Sequence, residues 1–315
     1  MQESFEALID EAESVLGPVI RQTPVEVSPV LTQRLGVPVL LKLECLQLTG
    51  SFKIRGALFA LSRLRASGAD TVATCSAGNH GLGVAWAARH FGLRARIHVP
   101  ASVDSRKATS LAALGADLVR SEFAGFDDTE VRAQEIAARE GLPWISAYDQ
   151  PEILAANGGT LMREVRRQVP DVETLVCPVG GGGLSGGMIT SDSAPARLVA
   201  AQTAASPALA MSLERGEAVT RLEASETLAG GLEGGIGNTG FSALKERVGQ
   251  VLLASESEIV AGMRWVLEHH GYLIEPSSAV AVAACLGPEV EVRGPTVVVL
   301  TGRNVAFETV RKILA

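Results

Sequence analysis

Cysteine is scarce and widely spaced. The four residues, Cys45, Cys75, Cys177 and Cys285, make no CxxC pair, so neither a disulfide framework nor a zinc site is implied and they read as buried thiols of a reducing compartment. Metal-ligand spacing is missing as well. His80, His90, His98, His269 and His270 never fall into an HExxH-like pattern, and no transition metal is expected. Positive charge is not in excess. A net charge of -7, with Lys and Arg scattered in ones and twos, argues against nucleic acid or an acidic membrane as partner. The longest uninterrupted apolar run, 279–286, is far too short to cross a bilayer, and the acidic, helix-patterned segment 1–16 is no signal peptide. The expectation is a cytoplasmic protein that works on a small molecule.

Apolar residues make up 47% of the chain, ample for a core in one large α/β domain or in two. Residues 23–25 read as an extended entry, and a short helix ends near Gly36. From Thr71 onward short apolar runs (71–75, 94–99, 116–119 and 143–146) alternate with Ala-rich segments of helix length (79–91, 104–114 and 127–140). That alternation predicts a parallel sheet with helices on its faces. Residues 71–148 are expected to be a small inserted α/β domain, and 1–70 with 149–315 the large one. The large part predicts a helix near 158–168, strands at 174–179, 197–202 and 296–300, helices near 256–270 and 277–286, and a closing helix from Val305. Residues 203–250, rich in Gly, Ala and Thr, are the least legible. No fixed-period repeat is present.

Gly50-Ser51-Phe52-Lys53-Ile54-Arg55-Gly56 lies between a strand-like run, 39–43, and apolar residues at helical spacing: Ile54, Ala57, Leu58, Leu61 and Leu64. Ser51 is the expected N-cap and Gly68 the expected stop, which places Lys53 in the first turn. A helix start disfavours a fixed cation. The same field, with burial, lowers the amine pKa and supplies the neutral nitrogen that a Schiff-base lysine needs. Taken alone, a surface lysine with its stem along the helix is the commoner reading.

Companions change that balance. Ser76-Ala77-Gly78-Asn79-His80-Gly81 sits between a strand and a helix, at the carboxyl end of a strand where α/β folds bind ligands and where helix amides hold anions. It reads as a plain turn or as a cradle for a substrate carboxylate, with Asn79 free to touch a cofactor hydroxyl. Gly180-Gly181-Gly182-Gly183-Leu184-Ser185-Gly186-Gly187 also follows a strand directly, and successive glycine amides there form a nest for phosphate. Residues 181–186 satisfy GxGxxG, but the following strand ends at Gln202 without the acidic residue that would hold a ribose. Residues 183–187 satisfy GxSxG, yet the only downstream histidines, His269 and His270, lie on a helical pattern. Thr301-Gly302-Arg303-Asn304 ends a strand where Thr301 can meet a heterocycle nitrogen. Glu275-Pro276-Ser277-Ser278 opens a helix and could line the same crevice. A poised lysine, a phosphate nest, a carboxylate cradle and a neutral hydroxyl together describe pyridoxal 5'-phosphate.

In this order the motifs resemble the fold-type II pyridoxal-phosphate enzymes, and within them the threonine dehydratase and serine racemase family, over essentially the whole chain. The resemblance implies a two-domain, tryptophan synthase β-like α/β fold with parallel-rich sheets covered by helices. It implies that Lys53 binds the cofactor covalently, that Phe52 packs on its ring, and that Asn79 meets its 3-hydroxyl. By the same resemblance Gly180, Gly181, Gly182 and Gly183 hold its phosphate and Thr301 faces its ring nitrogen. Ser76, Ala77, Asn79 and His80 would clasp the substrate carboxylate, and Glu275 and Gly231 would border the pocket. The implied reaction removes water from a 3-hydroxy amino acid to give a 2-oxo acid and ammonia, with Lys53 taking the α-proton; the usual assembly is a homodimer. A racemase or β-replacement synthase is the alternative, and a serine hydrolase or a non-catalytic binding protein is more remote.

Departures from the family refine these expectations. Ala77 stands where racemases place a serine base, which disfavours racemisation. Gln202 and Ala208 stand at carboxylate positions of metal-dependent members, so no metal is expected there. Gly230 replaces a common aspartate, and Ala156-Asn157-Gly158-Gly159-Thr160 replaces the usual Gly-Gln-Gly-Thr. Both suggest a substrate other than plain threonine, as in the hydroxyectoine-utilisation dehydratases. The chain leaves no room for a regulatory domain, and control by isoleucine is not expected.

Overall fold

The computed structural model describes residues 4–123, 125–222 and 225–314. The chain opens with α1 (Phe5–Leu16), β1 (Val25–Val27), α2 (Pro29–Leu35), β2 (Val39–Lys42), a 3-10 turn (Glu44–Leu46) and α3 (Ile54–Ala66). Residues 1–3 of the expected first helix lie outside the described residues. Then come β3 (Thr71–Cys75), α4 (Asn79–Phe91), β4 (Arg94–Val99), α5 (Ser105–Ala113), β5 (Asp117–Arg120) and α6 (Phe126–Glu140). α7 (Pro151–Leu154), one π-helical turn (Ala155–Gly159) and α8 (Thr160–Gln168) lead to β6 (Thr174–Pro178), α9 (Gly183–Thr190) and β7 (Arg197–Thr203). The remainder is α10 (Ala208–Arg215), α11 (Asn238–Leu244), β8 (Val248–Ala254), α12 (Glu256–His270), α13 (Pro276–Leu286), β9 (Thr296–Val299) and α14 (Phe307–Leu314).

Six strands form a sheet in the order β1-β2-β9-β6-β7-β8, parallel except for the β1–β2 pair. β6 and β9 are buried along their whole length, because parallel strands covered on both faces leave no polar side to alternate. One face packs on α12 and α13 through Ile259, Met263, Val266 and Val280; the other packs on α8, α9 and α11 through Leu161, Met188 and Phe241. A second, parallel sheet, β3-β4-β5, shares a separate core with α1, α3 and α4 that includes Ile9, Leu58, Val84 and Ile97.

Four expectations about the elements need correction. The run 143–146 is no strand and makes a single bridge, Trp144 to Ala73. Pro143 has no N–H to donate, and Ser146 Oγ turns the chain by accepting from the N–H groups of Tyr148 (3.3 Å) and Asp149 (3.0 Å). The helix expected at 158–168 starts earlier, at Pro151, and passes through the π turn. β8 has no counterpart among the expected elements. It is an edge strand with a register shift against β7, and Val-Gly-Gln-Val-Leu-Leu-Ala lacks the alternation that would reveal it.

Ser51 does not cap α3. Its backbone bridges to Gly302 and its buried hydroxyl has no partner, while Lys53 itself occupies the N-cap position. Arg55, which the helical pattern would leave outside, is 1% exposed. Its guanidinium donates to both Glu44 oxygens (2.9 and 2.8 Å), to Glu164 Oε2 (2.8 Å) and to Thr160 Oγ1 (3.3 Å). Lys42 Nζ donates to Glu164 Oε1 (2.5 Å), Thr23 O (2.8 Å) and Gln168 Oε1 (2.7 Å). Two cations and two carboxylates are thereby buried as one neutral set. Burial is the largest influence on Lys42, Glu44 and Arg55; the opposite charges still hold Glu44 below the usual carboxylate range and Arg55 above its own, whereas Lys42 falls below the usual lysine value. The set fastens α3, and with it Lys53, to β2 and α8.

Candidate active site

Lys53 is half-buried at the start of α3, and its Nζ donates to Ala147 O at 2.8 Å. Burial lowers its pKa to about 8, and the Glu275 carboxyl opposes that shift. The Lys53 amine also lies 5.3 Å from the centre of the Phe52 ring. Phe52 N–H donates to Thr301 O at 3.2 Å, which fixes the lysine turn against the turn after β9. Parallel pairing of β2 with β9 makes these two turns neighbours although some 250 residues separate them.

Glu275 lies at the N-cap of α13 and is 7% exposed. Burial raises its pKa to about 7, against hydrogen bonds from Asn79 Nδ2 (2.7 Å) and Asn304 N–H (3.1 Å). Asn304 Nδ2 donates in turn to Asn79 Oδ1 and Thr49 O, both at 2.7 Å. The carboxyl thus ties the start of α4 to the turn after β9. Gly231, the other expected border residue, is exposed, and its N–H donates to Ser277 Oγ at 2.9 Å. Glu233 Oε1 stands 3.8 Å from where a Cβ on Gly230 would lie.

Ser76, Ala77, Asn79 and His80 form the β3–α4 turn as expected from the sequence, but the His80 ring faces inward. Thr74 Oγ1 donates to Ile145 O (2.8 Å), so it accepts from His80 Nε2 at 2.9 Å, which makes Nε2 the protonated nitrogen. Burial, with help from the Lys53 charge, lowers the His80 pKa to about 3. The ring is therefore neutral and committed to Thr74; what His80 can offer a carboxylate is its backbone N–H. Ser76 Oγ accepts from Gly78 N–H at 3.1 Å.

The glycine run connects β6 to α9 and turns at Gly182, whose φ of +85° lies in the left-handed region. At Gly181 a Cβ would sit 2.2 Å from the Tyr148 ring, so only glycine fits that approach. Gly237 N–H donates to Gly181 O at 3.1 Å, and Asp149 accepts from the N–H groups of Asn238 (3.2 Å) and Thr239 (2.8 Å). Ser185, in the first turn of α9, is 1% exposed and its hydroxyl has no partner. Among the described residues no histidine is hydrogen-bonded to Ser185, whereas His270 is engaged by Ser28 Oγ and Glu26, which speaks against a hydrolase. A glycine turn opening a helix, with an unused buried hydroxyl in its first turn, suits a phosphate group, and a half-buried amine of lowered pKa suits an aldehyde. The residues present fit pyridoxal 5'-phosphate.

Sequence reasoning missed Ala147, Tyr148 and Asp149, which reach the lysine, the glycine run and α11 from one short segment. Only the Tyr-Asp pair after an apolar run hinted at it. Gln202 is fully buried, donating from Nε2 to Val179 O (3.1 Å) and accepting from Ala210 N–H (3.0 Å). Asn157 is 1% exposed, and its Oδ1 accepts from Gly56 N–H at 2.8 Å. That departure places an acceptor on the lysine helix.

The sequence profile of the family described as "Pyridoxal-phosphate dependent enzyme" matches residues 16–302. An L-threonine ammonia-lyase of Geobacter sulfurreducens is 35% identical over 315 residues, 98% of this chain and 77% of that protein. The serine racemase of Rattus norvegicus is 34% identical over 297 residues, 91% of this chain and 89% of that one. Among solved structures, maize serine racemase superposes with a TM-score of 0.89 at 27% identity, covering 98% and 95% of the two chains.

Proposed function

The chain belongs to the pyridoxal-phosphate dependent enzymes of fold type II, and from that membership we propose that it is an ammonia-lyase that removes water from a 3-hydroxy amino acid, serine- or threonine-like or a hydroxyectoine-derived relative, to give a 2-oxo acid and ammonia. Lys53 is the residue that carries the cofactor and takes the α-proton. Pyridoxal phosphate, when bound, draws electrons from the substrate α-carbon so that its C–H ionises. The chain's own residues supply the rest. Gly180 to Gly183 and Ser185 would hold the phosphate, Phe52 would lie against the ring, Asn79 would hold the ring hydroxyl, and the Thr301 hydroxyl would serve the ring nitrogen. The amides at the start of α4, from Ser76 to His80, take the substrate carboxylate. Glu275 keeps Asn79 and Asn304 in place.

The observation that carries a lyase over a racemase is the turn at the head of α4. Ala77 offers no proton there, and the His80 ring is neutral and bonded to Thr74. Lys53 is then the single base, acting on one face. Serine racemases are the second reading because of the similarity to the rat enzyme. Residues 71–148 form the smaller domain, the working assembly is a homodimer, and the protein acts in the cytoplasm.

The test has two parts. Borohydride reduction of the holoenzyme followed by peptide mapping is expected to find the reduced cofactor on Lys53; an unmodified Lys53 sinks the assignment. Oxo-acid release is then compared with enantiomer exchange across 3-hydroxy amino acids, and exchange faster than release favours the racemase.

A further inference from the structure

An α-helix leaves its first N–H groups without intrahelical partners. In α3, Arg55 N–H reaches back to Phe52 O (3.0 Å) and Ala57 N–H to Lys53 O (3.2 Å). Between them Gly56 N–H is taken by Asn157 Oδ1 at 2.8 Å, 101 residues along the chain, in a pocket from which Asn157 is 1% exposed. Ser51 makes no cap bond to α3: its backbone bridges to Gly302 and its hydroxyl has no partner. The lysine helix is therefore capped by a side chain from another element.

That element is the π turn Ala155–Gly159, a rare geometry that recurs at functional sites. The turn has a second close neighbour. A Cβ on Gly158 would lie 2.1 Å from Leu184 O, and one on Gly187 would lie 2.0 Å from Leu154 O, so the turn touches α9 backbone to backbone. α9 is the helix that the glycine run opens. The π turn is thus wedged between the helix that starts at Lys53 and the helix that starts at the phosphate nest. Its contact with α9 includes close backbone approach at Gly158, and its directional bond to the head of α3 is made by Asn157.

We propose that Asn157 is a positioning residue that sets the lysine helix against the glycine run, and so fixes how far the Lys53 amine stands from the group held there. The proposal rests on the reading of Lys53 as the cofactor lysine. It also gives a physical use to the departure from Gly-Gln-Gly-Thr in this chain. Without the Oδ1 acceptor the head of α3 keeps its ion-pair clamp through Arg55 but loses the bond nearest Lys53. A loss of alignment, with the fold retained, is the expected consequence.

The experiment compares wild type, Asn157→Ala and Asn157→Asp. Aspartate keeps an oxygen at the same reach, and a negative charge at a helix start is favourable. Wild-type borohydride mapping comes first: an unlabelled Lys53 ends the reading of that lysine, and with it this proposal. With Lys53 labelled, Asn157→Ala is expected to weaken pyridoxal phosphate binding about tenfold, which is about 1.4 kcal/mol. In the cofactor-free protein it should speed amide exchange at Gly56 by a similar factor, while Asn157→Asp stays within about twofold of wild type on both readouts. Unchanged affinity in Asn157→Ala, or an aspartate variant no better than alanine, overturns the proposal while leaving the cofactor lysine intact. A lowered melting temperature with unchanged affinity also overturns it, since that is a merely structural role. If Asn157→Ala does not fold, Asn157→Ser takes its place; intermediate affinity supports the proposal and wild-type affinity overturns it.

Discussion

Replacing Glu164 by glutamine tests the buried ionic set directly. Glu164 Oε1 receives Lys42 Nζ at 2.5 Å and Thr23 N–H at 3.0 Å, and Oε2 receives Arg55 Nη2 at 2.8 Å. The amide keeps one oxygen for a donor but removes the charge, so two buried cations are left with one carboxylate, Glu44. Removing one partner from a buried pair typically costs about 3–5 kcal/mol, against a total stability of roughly 5–15 kcal/mol for a folded protein. The urea midpoint of the cofactor-free protein should therefore fall steeply with little change in slope. Lys42→Met in the same chain removes the stranded ammonium, and the double variant should recover more than half of the loss. A cost below about 1 kcal/mol, the value of an exposed pair, refutes the reasoning. So does a double variant no more stable than the single one. Because Arg55 lies two residues beyond Lys53, the single variant should lose cofactor affinity as well as stability.

Lys53 in the cofactor-free protein should react with an amine-selective acylating reagent along a titration centred near pH 8, the value to which burial lowers it. At pH 7 about a tenth of it is then neutral, against roughly one part in three thousand for an ordinary lysine. Glu275→Gln removes the carboxylate that favours the ammonium, so the midpoint should move below pH 8; an upward shift contradicts the assignment. His80, held at about 3 in the folded chain, should show a neutral ring by nitrogen NMR at pH 5. The stability it confers is complete above about pH 6.5, the unfolded value, and is lost as pH falls from there through 3, so a ring protonated at pH 5 would be inconsistent with its burial. Gly181→Ala places a methyl 2.2 Å from the Tyr148 ring and should weaken pyridoxal phosphate binding at least about tenfold, measured by absorbance titration.

Wherever local pattern and tertiary environment agree, the sequence is a good guide. α4 runs over the residues expected of it because its turn, its Ala-rich face and its stop at Gly92 are all local. The glycine run and Thr301 stand at strand ends as expected because each follows a strand that is apolar after its first residue. The burial of Arg55 is not legible in the sequence, because helical periodicity sorts charged residues outward and no spacing shows that Glu44 and Glu164 wait for it inside. Ser51 does not act as the expected cap because its backbone is drawn into a bridge with Gly302, a contact some 250 residues away in the chain. β8 escaped because an edge strand with one face wet and a shifted register has no period to find. The inward turn of His80 depends on Thr74 and Ile145, a contact that no spacing rule records.

β9 is the last strand in the chain and yet lies between β2 and β6 at the centre of the sheet. During synthesis β1 and β2 therefore wait unjoined to the β6–β7–β8 group until β9 emerges, and the long-range pairing that completes the sheet comes late. Its arrival seats the turn at Thr301 against Phe52 and the strand edge at Gly302 against Ser51. The lysine thus meets its opposite wall only once β9 is in place. A product cut before β9 should be unable to retain the aldehyde cofactor, so cofactor retention doubles as a check that the polypeptide extends through that strand.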